Sequence, residues 1–295
     1  MYYLNHCPSC RTERWEPRVA PGPELYSRED LSMYKVIHAG QTPVLEDERF
    51  RRFFQRFSPE GSVRVLDVGC GSGTFVAEVE ARGHEAWGID FDQTSISRAR
   101  ERGLRNVWCV PLEDFVKEHA DLRFDYITAF DVVEHLTDPL QVLETLRRHL
   151  SPHGLLTVTV PNRGRFLANQ MVSDFPPHHF FRFDRDSLVR TLECAGFTDV
   201  EAEIFEYGYA AGAAANSLAK GMRRAMAAIG VRTSRPRPTR SDRAPELSSD
   251  DTQTALRALP RLIALKLLRG SAVPSGYFER AFGKGFKIIA TARRT

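Results

Sequence analysis

The sequence lacks the features of a membrane-spanning or disulfide-stabilised protein. No apolar run in it approaches the roughly 18 residues that a spanning helix needs. Five cysteines in 295 residues are too few for a disulfide framework, which favours a reducing, cytoplasmic location. The first residues show no basic stretch followed by an apolar one, so no secretory signal is expected. The composition is that of an ordinary globular protein.

Charge of one sign is also scarce, since the net charge is only +3. The basic residues are nevertheless concentrated between Lys220 and Arg243, where Asp242 is the one acid. This stretch has no aromatic residues for stacking on bases, so no nucleic-acid partner is expected. We expect a helical lid with a solvated basic loop. The alternative is peripheral contact of residues 218–269 with the inner face of the membrane.

Short apolar runs alternate with amphipathic segments along most of the chain. Strands are predicted over 63–69, 84–90, 106–110, 124–130, 154–160, 199–207 and 286–292. Helices are predicted over 45–57, 74–82, 93–102, 139–150 and 184–195, with Asp92 as an N-cap and Asp138-Pro139 at the start of the fourth helix. Strands that alternate with helices predict an α/β fold, a doubly wound sheet with both faces covered.

The composition also divides the chain. Residues 1–45 are predicted to be an irregular N-terminal arm, residues 46–207 the core, 208–278 a helical basic insertion, and 279–295 the last strand of the core. The arm contains Cys7 and Cys10, which form half of a zinc knuckle. No second Cys-x-x-Cys pair is present, so a degenerate zinc ribbon without metal is expected.

Glycine occurs at alternate positions in the loop after the strand at 63–69. Gly69, Gly71 and Gly73 follow Asp67, and a helix begins directly after them. Such a loop lets a ligand approach the bare backbone at the N-terminus of the helix. The dinucleotide fingerprint places one more residue before its third glycine. A carboxylate at position 67 suits an ammonium or sulfonium group better than a pyrophosphate.

Four further segments follow in order. They are Gly88-Ile89-Asp90, Pro111-Leu112-Glu113-Asp114, residues 124–136 and residues 150–154. Together with the glycine loop they resemble the class I S-adenosylmethionine (SAM)-dependent methyltransferases, most closely the small-molecule enzymes related to the ubiquinone-pathway O-methyltransferases. The resemblance covers about residues 46–206 and 283–292. It implies a Rossmann-like sheet of seven strands whose last strand is antiparallel.

The resemblance implies SAM as the cofactor and assigns roles to individual residues. Asp67 would orient the amino group of SAM, Asp90 would hold the ribose hydroxyls, and Phe91 would lie against the adenine. The full set of predicted cofactor contacts is Asp67, Gly69, Cys70, Gly71, Gly73, Asp90, Phe91, Leu112, Glu113 and Phe130.

Transfer of a methyl group to oxygen or nitrogen requires removal of a proton, and histidine is the side chain best suited to that task. His178 and His179 lie in a phenylalanine-rich segment expected to cover the pocket, and His135 follows the strand at 124–130. These three are the candidate bases. The resemblance leaves a divalent metal at Glu134 and His135 as an alternative, but two adjacent residues do not make a metal site, so no metal is predicted.

The sequence therefore predicts methyl transfer to an oxygen, nitrogen or carbon atom of a small-molecule, glycan or lipid-linked acceptor. Two alternatives remain open at this point. One is a non-catalytic SAM-binding or membrane-adaptor protein, and the other is a nicotinamide-dependent oxidoreductase, which the glycine spacing and Asp67 disfavour. The sequence does not indicate the acceptor or the oligomeric state.

Overall fold

The computed structural model describes residues 2–19, 47–165, 174–205 and 287–294. All of them belong to one compact unit, which comprises Met1–Phe205 and Gly283–Thr295. The other unit, Glu206–Phe282, lies outside the described residues. The predicted insertion at 208–278 and its membrane contact through 218–269 therefore remain predictions. No helix in the described ranges is long and apolar enough to cross a membrane.

The strands are numbered in chain order. They are β1 (Tyr3–His6), β2 (Glu13–Glu16), β3 (Arg64–Val68), β4 (Glu85–Asp90), β5 (Val107–Cys109), β6 (Phe124–Phe130), β7 (Leu150–Pro161), β8 (Phe181–Arg182), β9 (Thr198–Phe205) and β10 (Lys287–Arg293). Each of the seven strands expected from the sequence is present, with ends shifted by a few residues.

Six α-helices lie between these strands in the described part of the chain. They are α1 (Glu48–Arg56), α2 (Thr74–Ala81), α3 (Gln93–Glu101), α4 (Leu112–Glu118), α5 (Pro139–His149) and α6 (Arg185–Cys194). The predicted N-cap Asp92 is confirmed, because it accepts from the backbone of Thr94 and Ser95. The predicted helix start at Asp138-Pro139 is confirmed too, and Asp138 caps it by accepting from Gln141. The helix α4 corrects the sequence prediction, because its first turn, which begins at Leu112, was expected to be a loop.

The seven larger strands form one sheet in the order β5–β4–β3–β6–β7–β10–β9. β3, β4, β5, β6 and β7 pair in parallel, and β10 is antiparallel to both of its neighbours. This is the predicted Rossmann-like topology. The chain passes outwards from β3 to β5 and then returns to β6 on the other side of β3. The loops after β3 and β6 therefore meet where the strand order reverses, which is where open α/β sheets bind ligands.

The prediction of an irregular N-terminal arm is wrong for its first described residues. β1 and β2 form an antiparallel hairpin, and β2 also pairs with β8 in a second, three-stranded sheet. The backbone N–H of Trp15 donates to Phe180 O at 2.8 Å, next to this pairing. The hairpin is therefore attached to the segment that carries His178 and His179. Strands of four residues give no clear periodicity, and their partner lies far away in the sequence.

Phenylalanine side chains fill the space between α1, α2 and the sheet. The rings of Phe50, Phe75 and Phe130 lie 5.1–5.3 Å apart, and Phe53 packs edge-on against Phe75 at 5.1 Å. Such tilted and edge-on contacts are the favoured arrangement of aromatic rings. We call these four residues the phenylalanine cluster. It fixes α1 against the end of β6 and so supports the loop that follows β6.

Candidate active site

The glycine loop after β3 adopts a conformation that few other residues tolerate. Gly69, Gly71 and Gly73 have φ of 75°, 54° and 74°, in the left-handed region. A Cβ at Gly69 would lie 2.6 Å from Val132 Cγ2, and one at Gly73 would collide with Leu104. The loop therefore needs glycine at these two positions because protein side chains lie close to it. The predicted approach of SAM to the same backbone remains a prediction.

Asp90, at the end of β4, joins two loops of the site. Its carboxylate accepts from the backbone N–H of Gly71 and from that of Asp92, each at 2.8 Å. Burial raises the pKa of Asp90, and these two hydrogen bonds oppose the rise. A carboxylate has about four lone-pair positions, so two N–H donors leave capacity for a vicinal diol. The arrangement is compatible with the predicted role in ribose binding.

Asp67 lies inside the protein, near the end of β3. The residue is 3 % exposed, and Thr128 Oγ1 donates to its Oδ1 at 2.6 Å. Burial raises the pKa of Asp67 to about 7, and the negative charge of Asp90 contributes, while Thr128 and Arg49 oppose the rise. A cation placed beside this carboxylate would restore its charged form. The ammonium group of SAM is such a cation.

The remaining predicted cofactor contacts differ in exposure. Phe91 is 47 % exposed, as a ring available to a ligand would be. Leu112 is buried and Glu113 is exposed at the start of α4. Cys70 is buried, with its Sγ close to Gly88. Phe130 is 7 % exposed and its ring belongs to the phenylalanine cluster.

The structure brings the candidate histidines together. His135 belongs to a short 3₁₀ turn, Val133–His135, just after β6. Its Nδ1 lies 2.6 Å from the carbonyl oxygen of His178, and its ring centroid is 4.6 Å from that of His179. A carbonyl oxygen can only accept, so Nδ1 carries the proton and Nε2 keeps a lone pair in neutral His135. The sequence indicated the three residues but not this contact.

Glu134 adds a buried carboxyl group to the histidines. It is 1 % exposed, and neither carboxyl oxygen has a hydrogen-bond partner among the described residues. Burial, and then the charge of Asp131, raises its pKa well above the ordinary value. Burial lowers the pKa of His135 to about 4 and that of His179 well below its ordinary value. These groups therefore favour their neutral forms.

Ligand atoms of Glu134, His135 and His179 lie within 4.8 Å of one another. Two imidazole nitrogens and a carboxylate oxygen are ligands that divalent transition metals accept. The sequence raised Glu134 and His135 as a pair of metal ligands but did not indicate His179 as the third, because His179 reaches them from a distant segment. The prediction of no metal counted only Glu134 and His135, and His179 adds a third ligand to this pair.

The sequence interpretation missed Asp131, which also follows β6. It is a non-glycine residue with φ of 58°. Its carboxylate accepts from Arg49 Nη1 at 2.8 Å, from Thr159 Oγ1 at 3.1 Å and from Lys287. Burial alone would raise the pKa of Asp131, but Lys287 and Arg49 lower it well below the ordinary value. An acid directly after a strand of this sheet was the available signal.

Comparisons with known proteins agree with this geometry. A family model described as a methyltransferase domain matches residues 44–202, more than half of the chain. A probable SAM-dependent methyltransferase of Mycobacterium tuberculosis is 32% identical over 200 residues, which cover 62% of this chain and 69% of the relative. A ubiquinone biosynthesis O-methyltransferase of Bradyrhizobium diazoefficiens is 28% identical over 153 residues, which cover 51% of this chain and 58% of that enzyme.

The fold has solved counterparts as well. The crystal structure of a SAM-dependent methyltransferase from Archaeoglobus fulgidus superposes with a TM-score of 0.54 at 19% identity, covering 89% of this chain and 99% of the other. The family match confirms SAM, rather than a nicotinamide nucleotide, as the cofactor. The chain belongs to the SAM-dependent methyltransferases.

Proposed function

We propose that the protein transfers the methyl group of SAM to a hydroxyl oxygen of a small-molecule or lipid-linked acceptor, with His135 as the general base. The observation that carries this proposal is the hydrogen bond between His135 Nδ1 and the carbonyl oxygen of His178. It fixes the tautomer in which Nε2 is the proton acceptor. The sequence favoured His178 or His179 as the base, whereas the contacts favour His135.

Bound SAM supplies a methyl group on a cationic sulfur. The loop after β3 and Asp90 would hold its nucleoside, and Asp67 would pair with its ammonium group. His135 follows β6, the strand next to β3 in the sheet. A base at this position lies at the same edge of the sheet as the glycine loop, where ligands bind.

The proton of the acceptor hydroxyl would pass to His135 Nε2 as the new O–C bond forms and the S–C bond breaks. The bonding pair stays on sulfur, and imidazolium and S-adenosylhomocysteine are the products. Burial keeps free His135 neutral, so that Nε2 holds a lone pair, although the same burial disfavours the imidazolium form. The carbonyl of His178 remains a hydrogen-bond acceptor for Nδ1–H and stabilises the imidazolium that forms.

The test uses labelled SAM, a small-molecule and lipid extract, and the variant His135→Asn. We expect label transfer to fall about 10²- to 10⁴-fold, the range typical of a lost general base. Calorimetry should show unchanged SAM affinity. The matched control is His153→Asn, because His153 is exposed and its φ of 64° is tolerated by asparagine. Transfer by His135→Asn at the wild-type rate would contradict the proposal.

A second candidate is transfer assisted by a divalent cation. It is favoured by the buried, unpartnered carboxyl oxygens of Glu134 beside His135 and His179. These three residues would hold the ion, which would act as a Lewis acid and lower the pKa of the acceptor hydroxyl.

Chelation separates the two candidates. Loss of transfer after dialysis against a chelator, with recovery on adding one divalent ion, supports the cation. Full activity of the dialysed protein supports His135 as a base without metal. The variant Glu134→Gln should lose activity only if the cation assists the transfer.

A further inference from the structure

We propose that a cleft beside His179 binds a carboxylate or phosphate group carried by the methyl acceptor. The inference rests on the proposed function. The cleft is open to solvent, encloses about 10 Å³ and is lined by Pro161, Arg163, Arg165, Asp174, His179, Phe181 and Arg182. We call it the arginine cleft. Its enclosed space is about that of one water molecule, so one oxygen of an anionic group enters it and the rest of the acceptor lies outside.

The lining places three guanidinium groups against one carboxylate. Arg163 donates to Arg11 O at 3.0 Å and to Asp184, and Arg165 donates to Asp174. Two of the balancing acids, Glu13 and Asp184, are not part of the lining. The wall that faces the cleft is therefore more positive than the ion-pair network as a whole.

Arg182 has more N–H donors than its ion pair uses. Among the described residues its ion pair is with Glu13, at 3.1 Å from Nη1. The same carboxylate of Glu13 also lies 3.7 Å from Arg163. A guanidinium carries about five N–H donors in a planar fork that matches a carboxylate or phosphate. The one shared carboxylate leaves most of the donors of Arg182 to a ligand.

The three guanidinium groups are largely buried beside one another. The side chains of Arg163, Arg165 and Arg182 are only 18%, 5% and 12% exposed. Burial lowers the pKa of Arg182, and although Glu13 and Asp174 oppose this, Arg165 and Arg163 lower it further. Three neighbouring guanidinium groups that repel one another are a common basis for anion recognition.

The position of the arginine cleft connects it to the acceptor. Pro161 ends β7, Arg163 and Arg165 follow it, and β7 is the neighbour of β6 in the sheet. His179 lines the cleft and also contacts the ring of His135. An anionic group in the cleft would therefore lie one imidazole ring away from the proposed base.

Asp174 refines the class of ligand. The residue is 4 % exposed, and its Oδ2 has no hydrogen-bond partner among the described residues. An unpaired buried acceptor of this kind is expensive unless a donor reaches it. A hydroxyl group next to the anionic group would supply that donor. The acceptor class we infer is thus a hydroxylated carboxylate or phosphate ester.

The deciding test is calorimetric titration of the full chain with inorganic phosphate and with benzoate, in chloride buffer of matched ionic strength. We expect wild type to bind both anions and Arg182→Gln to bind at least about tenfold more weakly. Arg182→Lys keeps the positive charge and the ion pair with Glu13 but loses the planar guanidinium group, so it should weaken benzoate binding severalfold. It also covers the case in which the glutamine variant fails to fold.

The matched control is Arg64→Gln, because Arg64 forms an ordinary ion pair with Glu85 at 2.9 Å, at the opposite end of β3. It should bind anions as wild type does. Absence of anion binding by wild type would overturn the proposal. Binding by Arg182→Gln and Arg182→Lys that is as tight as that of wild type would overturn it too.

A second arm asks whether the anion belongs to the acceptor. After labelling with SAM and extract, the methylated product should be retained on an anion-exchange column. An uncharged product contradicts the inference and identifies the bound anion as a free ion. The two proposals fail separately, since His135→Asn should lower methyl transfer about 10²- to 10⁴-fold and leave phosphate binding by the chain unchanged.

Discussion

Asp67 illustrates how one residue can oppose folding and favour binding. Its pKa is raised to about 7, mainly by burial. A carboxyl group with a raised pKa in the folded protein binds its proton more tightly there than in the unfolded chain. Stability is therefore fully present below the unfolded pKa of about 4, and it falls as the pH rises towards the folded value.

The variant Asp67→Asn removes this cost but keeps the oxygen that accepts from Thr128. Without SAM, we expect it to be more stable than wild type by about 2–4 kcal/mol near pH 8 and equally stable near pH 4. Denaturant unfolding at the two pH values measures this. A control is Asp114→Asn, since Asp114 is exposed. If Asp67→Asn is less stable than wild type near pH 8, the Asp67 carboxylate of wild type is solvated.

The same carboxylate should make SAM binding depend on pH. Pairing with the ammonium group requires ionised Asp67, so the affinity of wild type should rise about tenfold to twentyfold between about pH 5.5 and pH 7. The rise ends near pH 8, where an α-amino group loses its own proton. Asp67→Asn should bind about 30-fold more weakly and without this dependence. Calorimetry across this pH range measures the SAM affinity of both proteins. Parallel curves of affinity against pH would contradict the pairing of Asp67 with the ammonium group.

At the scale of elements, the loop and helix that follow β3 depend on Gly73. It is the N-cap of α2 with φ of 74°, and a Cβ there would collide with Leu104 and lie 3.2 Å from Ala99. Gly83 offers a matched comparison, because its φ is +85° but a Cβ there meets nothing within 4 Å. The two positions separate backbone strain from a steric clash.

We expect Gly83→Ala to cost about 1 kcal/mol, the strain of a left-handed alanine. Gly73→Ala should cost about 2–4 kcal/mol, because the clash adds to the strain, and it should weaken SAM binding as α2 shifts. Thermal unfolding and calorimetric titration measure the two effects. Equal losses in the two variants would mean that Leu104 moves aside without cost.

The elements also show why sequence predicted some of the fold and not the rest. The strand β6, the cap Asp92 and the helix start at Asp138-Pro139 were predicted because alternation and helix-start signals are local patterns. The hairpin of β1 and β2 was missed because β2 finds its partner β8 far along the chain. Likewise, α4 begins at a proline-leucine pair whose helical character depends on the packing of Phe115.

For the molecule as a whole, Asp131 is where distant parts of the chain meet. Arg49 reaches it from α1 and Lys287 from β10, the last strand. Neither contact could be inferred from spacing, since each joins residues that only the finished sheet brings together. The two cations hold Asp131 in its left-handed conformation, directly before the turn that carries Glu134 and His135. The two ends of the fold thereby support the proposed base.

The charge of Asp131 has the opposite effect on stability to that of Asp67. Its pKa is lowered in the folded protein, where Lys287 and Arg49 outweigh burial. A carboxyl group with a lowered folded pKa adds stability above its unfolded pKa of about 4, and this stability is lost as the pH falls through that region. Acid should therefore weaken the contact among α1, β6 and β10.

Lys287→Met leaves Asp131 buried with less positive charge nearby. We expect this variant to lose about 2 kcal/mol near pH 7. The difference from wild type should shrink towards pH 3, because without Lys287 the folded variant protonates Asp131 at a higher pH than wild type does. Denaturant unfolding across this range is the measurement, with Lys117→Met as the control, because Lys117 pairs with Asp114 at the surface. A difference that stays constant with pH would mean that Lys287 stabilises the fold through its packing rather than through the charge of Asp131.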